Sequence, residues 1–312
     1  MDQALQPTRN ASRPVSQILK SFSFERWALL IGLAVLTIAC VAIFPQFRTP
    51  ALLTTMLNNQ SLVLLLALTA TIVLRVGDFD LSISQIMVAS GAVVLQLSLT
   101  GIPPLLAVVI GLLLGAVVGL INAYLVVKIG VDSFVITLGS FTALAGVAYL
   151  VTGGKVVGGV PDEFVNFARS QLLGIPMITW YAWVLIVLVW YVYQRTPLGR
   201  YMIFVGGNRN ASRLSGVPVD RIRMGAYMVS GILAALVGIC FIGYFGAVDP
   251  SVGSQYMLQP FAAAFLGATA IAVGRLMPSA PWSPSTSSRS ESPHSSFWGP
   301  RRGYPTFSTG WH

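Results

Sequence analysis

Charge is scarce in this sequence. Only 9% of its 312 residues are Asp, Glu, Lys or Arg, against roughly 25% in an ordinary soluble domain, so the chain has no polar coat to wear in water. Histidine is rarer still: both, His294 and His312, stand near the C-terminus. The apolar bulk therefore lacks the His, Asp and Glu clusters that acid–base or metal chemistry requires, which argues against a polytopic membrane enzyme. Lysine occurs only at Lys20, Lys128 and Lys155, never in a G-x-x-x-x-G-K-[ST] run. The chain thus has no phosphate-cradling loop of its own. Its two cysteines, Cys40 and Cys240, lie in apolar stretches as small hydrophobes and imply no disulfide framework. A cleavable signal peptide is not expected either: residues 1–26 are polar, and no small-residue cleavage site follows the first apolar run.

What is abundant is hydrocarbon, at 55% of residues. Eight apolar runs stand out, at 27–44, 57–74, 81–99, 105–127, 134–151, 175–193, 224–245 and 257–273. Runs of about 17 to 25 residues match a hydrocarbon core ~30 Å thick as helices, whereas barrel strands are about ten residues long and alternate in polarity. The fold class is all-α: a polytopic transmembrane helical bundle over residues 27–274, between a polar tail at 1–26 and a low-complexity tail at 275–312. With the N-terminus inside, Arg9, Arg13, Lys20, Arg26, Arg75, Lys128, Arg195, Arg200, Arg209, Arg213, Arg221, Arg223 and Arg275 are cytoplasmic. Only Arg48, Lys155 and Arg169 are outside. This bias follows the positive-inside rule, so the net charge of +9 records topology and an anionic lipid surface, not nucleic-acid binding.

Two connections carry most information. The longest outward one, 152–174, is glycine-rich and then acidic, and suggests an ordered loop with a short helix after Pro161. The longest inward one, 194–223, sets six arginines against Asp220. It reads as turn, short helix, turn, with Asn208 or Asn210 as the cap, a helix through Leu214, and Gly216 and Pro218 as its stop. So short a helix is unstable alone and needs a partner surface; the alternative is a basic loop held near anionic lipid.

Between the second and third runs, Asp78 and Asp80 interrupt the apolar pattern. Asp80 is placed to cap the third span, with a transport or hinge role as the alternative. Asn58, Asn59, Gln60, Ser82, Asn122, Thr137, Ser140, Gln255 and Gln259 are the other polar candidates for a pathway or gate. Helix-to-helix hydrogen bonding is the plainer use of each. Gly111, Gly115 and Gly119 form a stripe suited to close helix packing.

These residues resemble a known family, the ribose/xylose/arabinose-type ABC importer permeases of the branched-chain amino acid/sugar permease superfamily. Residues 77–84, GDFDLSIS, are similar to its Gly-Ile-Asp-Leu-Ser-Val-Gly-Ser, although Asp78-Phe79 stands where the family more often has Gly-Ile. Residues 119–139 resemble its Asn-Gly and Thr-Leu-Gly region, 196–217 its cytoplasmic loop, and 243–267 the following span pair with its outer connection, all in the same order. The resemblance implies a coupling helix that docks on an ABC ATPase subunit through Asn208, Arg209, Asn210, Ala211, Arg213, Leu214, Ser215 and Gly216. It further implies a second permease copy, a periplasmic sugar-binding protein, ATP and Mg bound only in the ATPase, and residence in the bacterial inner membrane. An ATP-independent channel or receptor is the competing reading.

Family members continue past the block similar to Leu266-Gly267-Ala268-Thr269 into two more apolar spans, about ten in all. Here the segment 275–312 holds ten serines, six prolines and the single acid Glu291, with Trp282, Trp298 and Trp311. A frameshift near Arg275 is the expected cause, which would leave an impaired or inactive permease. Translation of the gene's other two frames beyond this point tests it.

Overall fold

The computed structural model describes residues 31–271; the expectations for the tails 1–26 and 275–312 lie outside them. Each of the eight apolar runs forms helix within those bounds. The helices are α1 (Ile31–Ile43), α2 (Pro50–Leu74), α3 (Ile83–Leu99), α4 (Pro104–Ala123), α5 (Ser133–Thr152), α6 (Asp162–Arg169), α7 (Met177–Arg195), α8 (Pro197–Gly207), α9 (Arg209–Leu214), α10 (Val219–Phe245) and α11 (Gln259–Ile271). Five are long and apolar enough to cross a membrane: α2, α4 with its extension, α5, α7 and α10. The third apolar run makes a shorter helix than its length promised, the 17-residue α3, because residues 75–82 are spent on an irregular climb into the bundle.

α3 is the axis of the fold. Its residues 83–92 are buried without a break, as befits a helix at the centre of a bundle. α10 packs against it and against α2, α4 and α6. The α4–α10 crossing rests on the predicted glycine stripe: a Cβ at Gly115 would overlap Gly231 O, and one at Gly119 would overlap Tyr227 O. Without side chains the two backbones meet directly, the arrangement that gives van der Waals contact when no hydrophobic effect separates helix from lipid.

α4 continues without a break into a π-helical segment, Tyr124–Ile129, which ends on Gly130 at a φ of +86°. The connection 194–223 contains one more helix than expected: Pro197 begins α8, capped by Thr196, whose Oγ1 accepts the Gly199 N–H at 3.3 Å. At the opposite end of the bundle the helix expected after Pro161 is α6, whose Phe164 and Ala168 are buried against α10. Two short antiparallel ribbons lie there, β1 (Val157–Gly158) with β4 (Ala247–Val248) and β2 (Gln171–Leu172) with β3 (Ile175–Pro176). The second closes through Leu173 and Gly174, both at positive φ, as a tight two-residue hairpin requires.

Candidate functional site

One end of the bundle gathers the basic residues. The segment 75–82, the π-helical extension of α4 with the start of α5, helix α9 and the first turns of α10 converge there around a polar cavity of about 580 Å³ lined in part by Asp78, Asp132, Arg209, Arg213 and Arg223.

α9 is built as its sequence suggested. Asn208 is the cap, its Oδ1 accepting the Ala211 N–H at 3.0 Å, and Gly216 leaves the helix at a φ of +79°. One face is tied down. Ser212 is buried, and Arg209 Nη2 donates to Gly77 O at 2.9 Å and to Asp78 Oδ1 at 2.7 Å. The other face, with Asn210, Ala211, Leu214, Ser215 and Gly216, is exposed, and Leu214 is 90% exposed. Arg213 donates to Asp220 Oδ1 at 2.7 Å, and Lys128 holds the other oxygen of Asp220 at 3.1 Å. Both of these pairs are largely solvated, which limits each to about 0–1 kcal/mol. The Arg209 bond ends on a carboxylate only 3% exposed, where a charge-assisted hydrogen bond is worth about 1.5–3 kcal/mol, so it is the stronger anchor of α9.

Arg223 is the residue that sequence reasoning misplaced. Counted with the basic connection, it instead lies in the second turn of α10, buried, with Nε and Nη2 donating to the two oxygens of Asp78 at 2.7 and 2.9 Å. Asp78 thus accepts from two arginines on two helices. Val76, Met202, Val205 and Ile222 form a buried apolar cluster at this end of the bundle.

Deeper lies a second arrangement. Asp80 is fully buried, with its Oδ1 taking the Ser82 N–H and hydroxyl and its Oδ2 taking the Ser230 hydroxyl at 3.2 Å. The N-cap of α3 is Ser82 itself, so Asp80 receives a donor just outside the helix and does not occupy the cap position expected for it. Ser82 Oγ in turn accepts from Asn122 Nδ2 at 2.9 Å, and Asn122 Oδ1 accepts from Ser140. Ser230 lies eleven residues into α10, about 16 Å along its axis. A continuous polar chain therefore joins the segment before α3 to α4, α5 and α10.

The remaining candidates are not brought into this chain. Thr137 is buried but donates to Ser133 O of its own helix at 2.8 Å. Asn58, Asn59 and Gln60 sit toward the other end of α2: Asn58 Nδ2 donates to Thr54 O at 3.0 Å, the Oδ1 atoms of Asn58 and Asn59 are buried without a partner, and Gln60 is exposed. Gln255 and Gln259 are exposed, in the connection between α10 and α11 and at the start of α11. Sequence reading passed over Ser84, Gln85 and Ser90 on α3, whose Oγ, Nε2 and Oγ atoms are buried and unpaired. The signal available was polar residues inside the apolar run that proves most buried.

A helical bundle crossing the membrane several times, with a tethered short helix at its basic end and a polar chain running inward from it, defines an integral membrane permease. The chain belongs to the family of permease components of branched-chain amino acid transport systems, whose model matches residues 52–283. It is 33% identical over 250 residues to the ribose import permease protein RbsC of Escherichia coli, covering 79% of this chain and 78% of that protein. The D-allose transport system permease protein AlsC of Escherichia coli is 29% identical over 262 residues, 82% of this chain and 80% of its own. The autoinducer 2 import system permease protein LsrD of Salmonella paratyphi B is 32% identical over 209 residues, 65% of this chain and 63% of its own. These relatives are transport permease proteins. No solved structure matches the chain.

Proposed function

We propose that this protein is the membrane-spanning subunit of an ATP-driven ABC importer for a simple sugar or a related small polar solute. Hydrolysis then takes place in a separate ATPase subunit, which binds ATP and Mg and docks on α9. The observation that carries the reading is α9: a helix too short to stand alone is capped by Asn208, fastened inward by Arg209, and left with Leu214 bare at the basic end. An exposed leucine on a fastened helix suits a groove on a partner protein. The basic end faces the cytoplasm by the positive-inside rule, which puts the N-terminus inside and the two ribbons outside, toward a periplasmic binding protein. A second copy of the chain completes the translocation path, along which Asn58, Asn59, Asp80, Ser82, Asn122 and the unpaired atoms of Ser84, Gln85 and Ser90 offer hydrogen bonds to a hydroxylated solute. The names of the ribose, allose and autoinducer 2 relatives support a small polyhydroxylated cargo.

Co-purification tests this. An ATPase carrying a phosphate-binding loop is expected to copurify with the wild-type protein and to be lost on Arg213→Glu with Leu214→Glu. Undiminished association would remove α9 from the interface. Nucleotide-independent solute flux in vesicles holding this protein alone would instead make it a channel.

A further inference from the structure

We infer that Arg209 and Asp78 form the joint through which movement of α9 reaches the interior of the bundle, Asp78 being a positioning residue for transport. The inference rests on the reading of α9 as the docking helix and adds the route by which docking is felt inside. Residues 78–82 link α2 to α3, ending in a turn at 81–82, and are bonded at almost every position. Phe79 N–H donates to Ser133 Oγ of α5 at 3.2 Å, and Tyr227 of α10 donates its hydroxyl to Phe79 O at 3.2 Å. The Phe79 ring packs 6.2 Å and 6.5 Å from those of Phe261 and Phe265 on α11. Asp80 and Ser82 then enter the polar chain to Ser230, Asn122 and Ser140.

A segment held at so many points to α4, α5, α10 and α11 cannot shift one residue alone, because packed interiors rearrange between discrete states and do not deform smoothly. What joins this segment to an exposed element is Arg209, whose Nη2 bonds both Gly77 O and Asp78 Oδ1. The backbone at the joint is equally close: Gly77, at a φ of +78°, lies against the Gly206 backbone of α8, with no room for a side chain at Gly206 beside Arg75 O. Arg223 holds the other side of Asp78 from within α10. The carboxylate thus has a buried ligand on the core and a half-exposed one on α9. The second tether of α9, Arg213 to Asp220, touches only the first turn of α10 and has no bond to residues 78–82.

Hydrogen exchange on the full chain in lipid nanodiscs tests the joint. Arg209→Gln leaves the Asp78–Arg223 pair intact and is expected to accelerate amide exchange across residues 78–82 at least tenfold. Arg209→Lys restores part of the protection, and Arg213→Gln loosens α9 without affecting 78–82. Exchange across 78–82 that is equal in wild type and Arg209→Gln overturns the inference, whether or not any ATPase binds. In the complex with its ATPase, nucleotide is expected to change exchange across 78–82 in the wild type. In complexes of Arg209→Gln that still copurify with the ATPase that change is expected to be lost, whereas its retention overturns the joint. Failure of the wild type to bind an ATPase rejects the docking reading alone, since the exchange coupling in the isolated chain is measured separately.

Discussion

Gly115 of α4 and Gly231 of α10 touch backbone to backbone, each occupying the space where the other would place a side chain against its carbonyl oxygen. The consequence is a sharp difference between two glycines of the same helix. Gly231→Ala is expected to destabilise the protein by about 1–3 kcal/mol through overpacking. Gly225→Ala meets nothing within 4 Å and is expected to be neutral or to gain up to about 1 kcal/mol in helix propensity. Thermal unfolding of the two variants in detergent checks this, and equal midpoints would show that the crossing has slack.

The triad of Asp78, Arg209 and Arg223 predicts non-additivity. Removing one partner of a buried pair strands the other, at a cost of about 3–5 kcal/mol, whereas replacing both is far milder. Arg223→Met and Asp78→Asn should each unfold at lower denaturant concentration than the wild type, with the double variant losing less than the sum by at least ~1 kcal/mol. The exposed pair of Lys128 and Asp220, treated the same way, should couple by less than ~1 kcal/mol. Additive losses at Asp78 and Arg223 would mean that water reaches that pair.

Much of this was legible in the sequence, and the part that was not has a common physical reason. Apolar run length located the eight helices of the apolar runs, and local chemistry narrowed the cap to Asn208 or Asn210 and located the stop at Gly216 and the helix after Pro161, because each depends on neighbours within one turn. The stripe of Gly111, Gly115 and Gly119 announced a close crossing but not its partner, Gly231. Arg223 looked like another topogenic arginine because its acid, Asp78, is 145 residues away. Asp80 looked like a helix cap because its partners at Ser230 and, through Ser82, Asn122 are visible only once α4 and α10 have converged. Helix α8 was hidden by Gly199, Gly206 and Gly207, which read as turns although two of them serve close backbone approach within or beside the helix.

The cap of α9 makes a local prediction. Asn208→Ala removes the side-chain acceptor for the Ala211 N–H, worth about 1 kcal/mol, which corresponds to roughly fivefold faster exchange at that amide. Asn208→Asp and Asn208→Ser should restore protection. The mid-helix amides of α10 should be unaffected in all three; if they speed up together, α9 is not an independently opening unit.

The polar chain predicts an order of costs, set by what each hydroxyl can fall back on. Ser82 stands between Asp80 and Asn122, donating to the first and accepting from the second. Its loss in Ser82→Ala strips a buried carboxylate of a strong donor and leaves the Asn122 amide unsatisfied as well. No cation pairs with Asp80 among the described residues to make good the difference. Asn122→Ala is milder, because Ser82 keeps its bond to Asp80 and only Ser140 loses its acceptor. Ser140→Ala is mildest, because it removes one neutral bond at a half-buried position and leaves the bonds among Asp80, Ser82 and Asn122 in place. In the Asn122 variant the Ser140 hydroxyl can turn to the carbonyl four residues back, as Ser98 does to Val94 O at 2.8 Å. Interhelical hydrogen bonds in membranes average about 0.6 kcal/mol for the same reason, that the alternative state also finds partners. The Ser82 variant should therefore lose about 1–3 kcal/mol or more, as an unmet buried polar group does, and the Ser140 variant less than ~1 kcal/mol. Unfolding midpoints in detergent for the three alanine variants read the order directly; a cost at Ser140 equal to that at Ser82 would mean that the chain acts as one rigid unit with no local fallback.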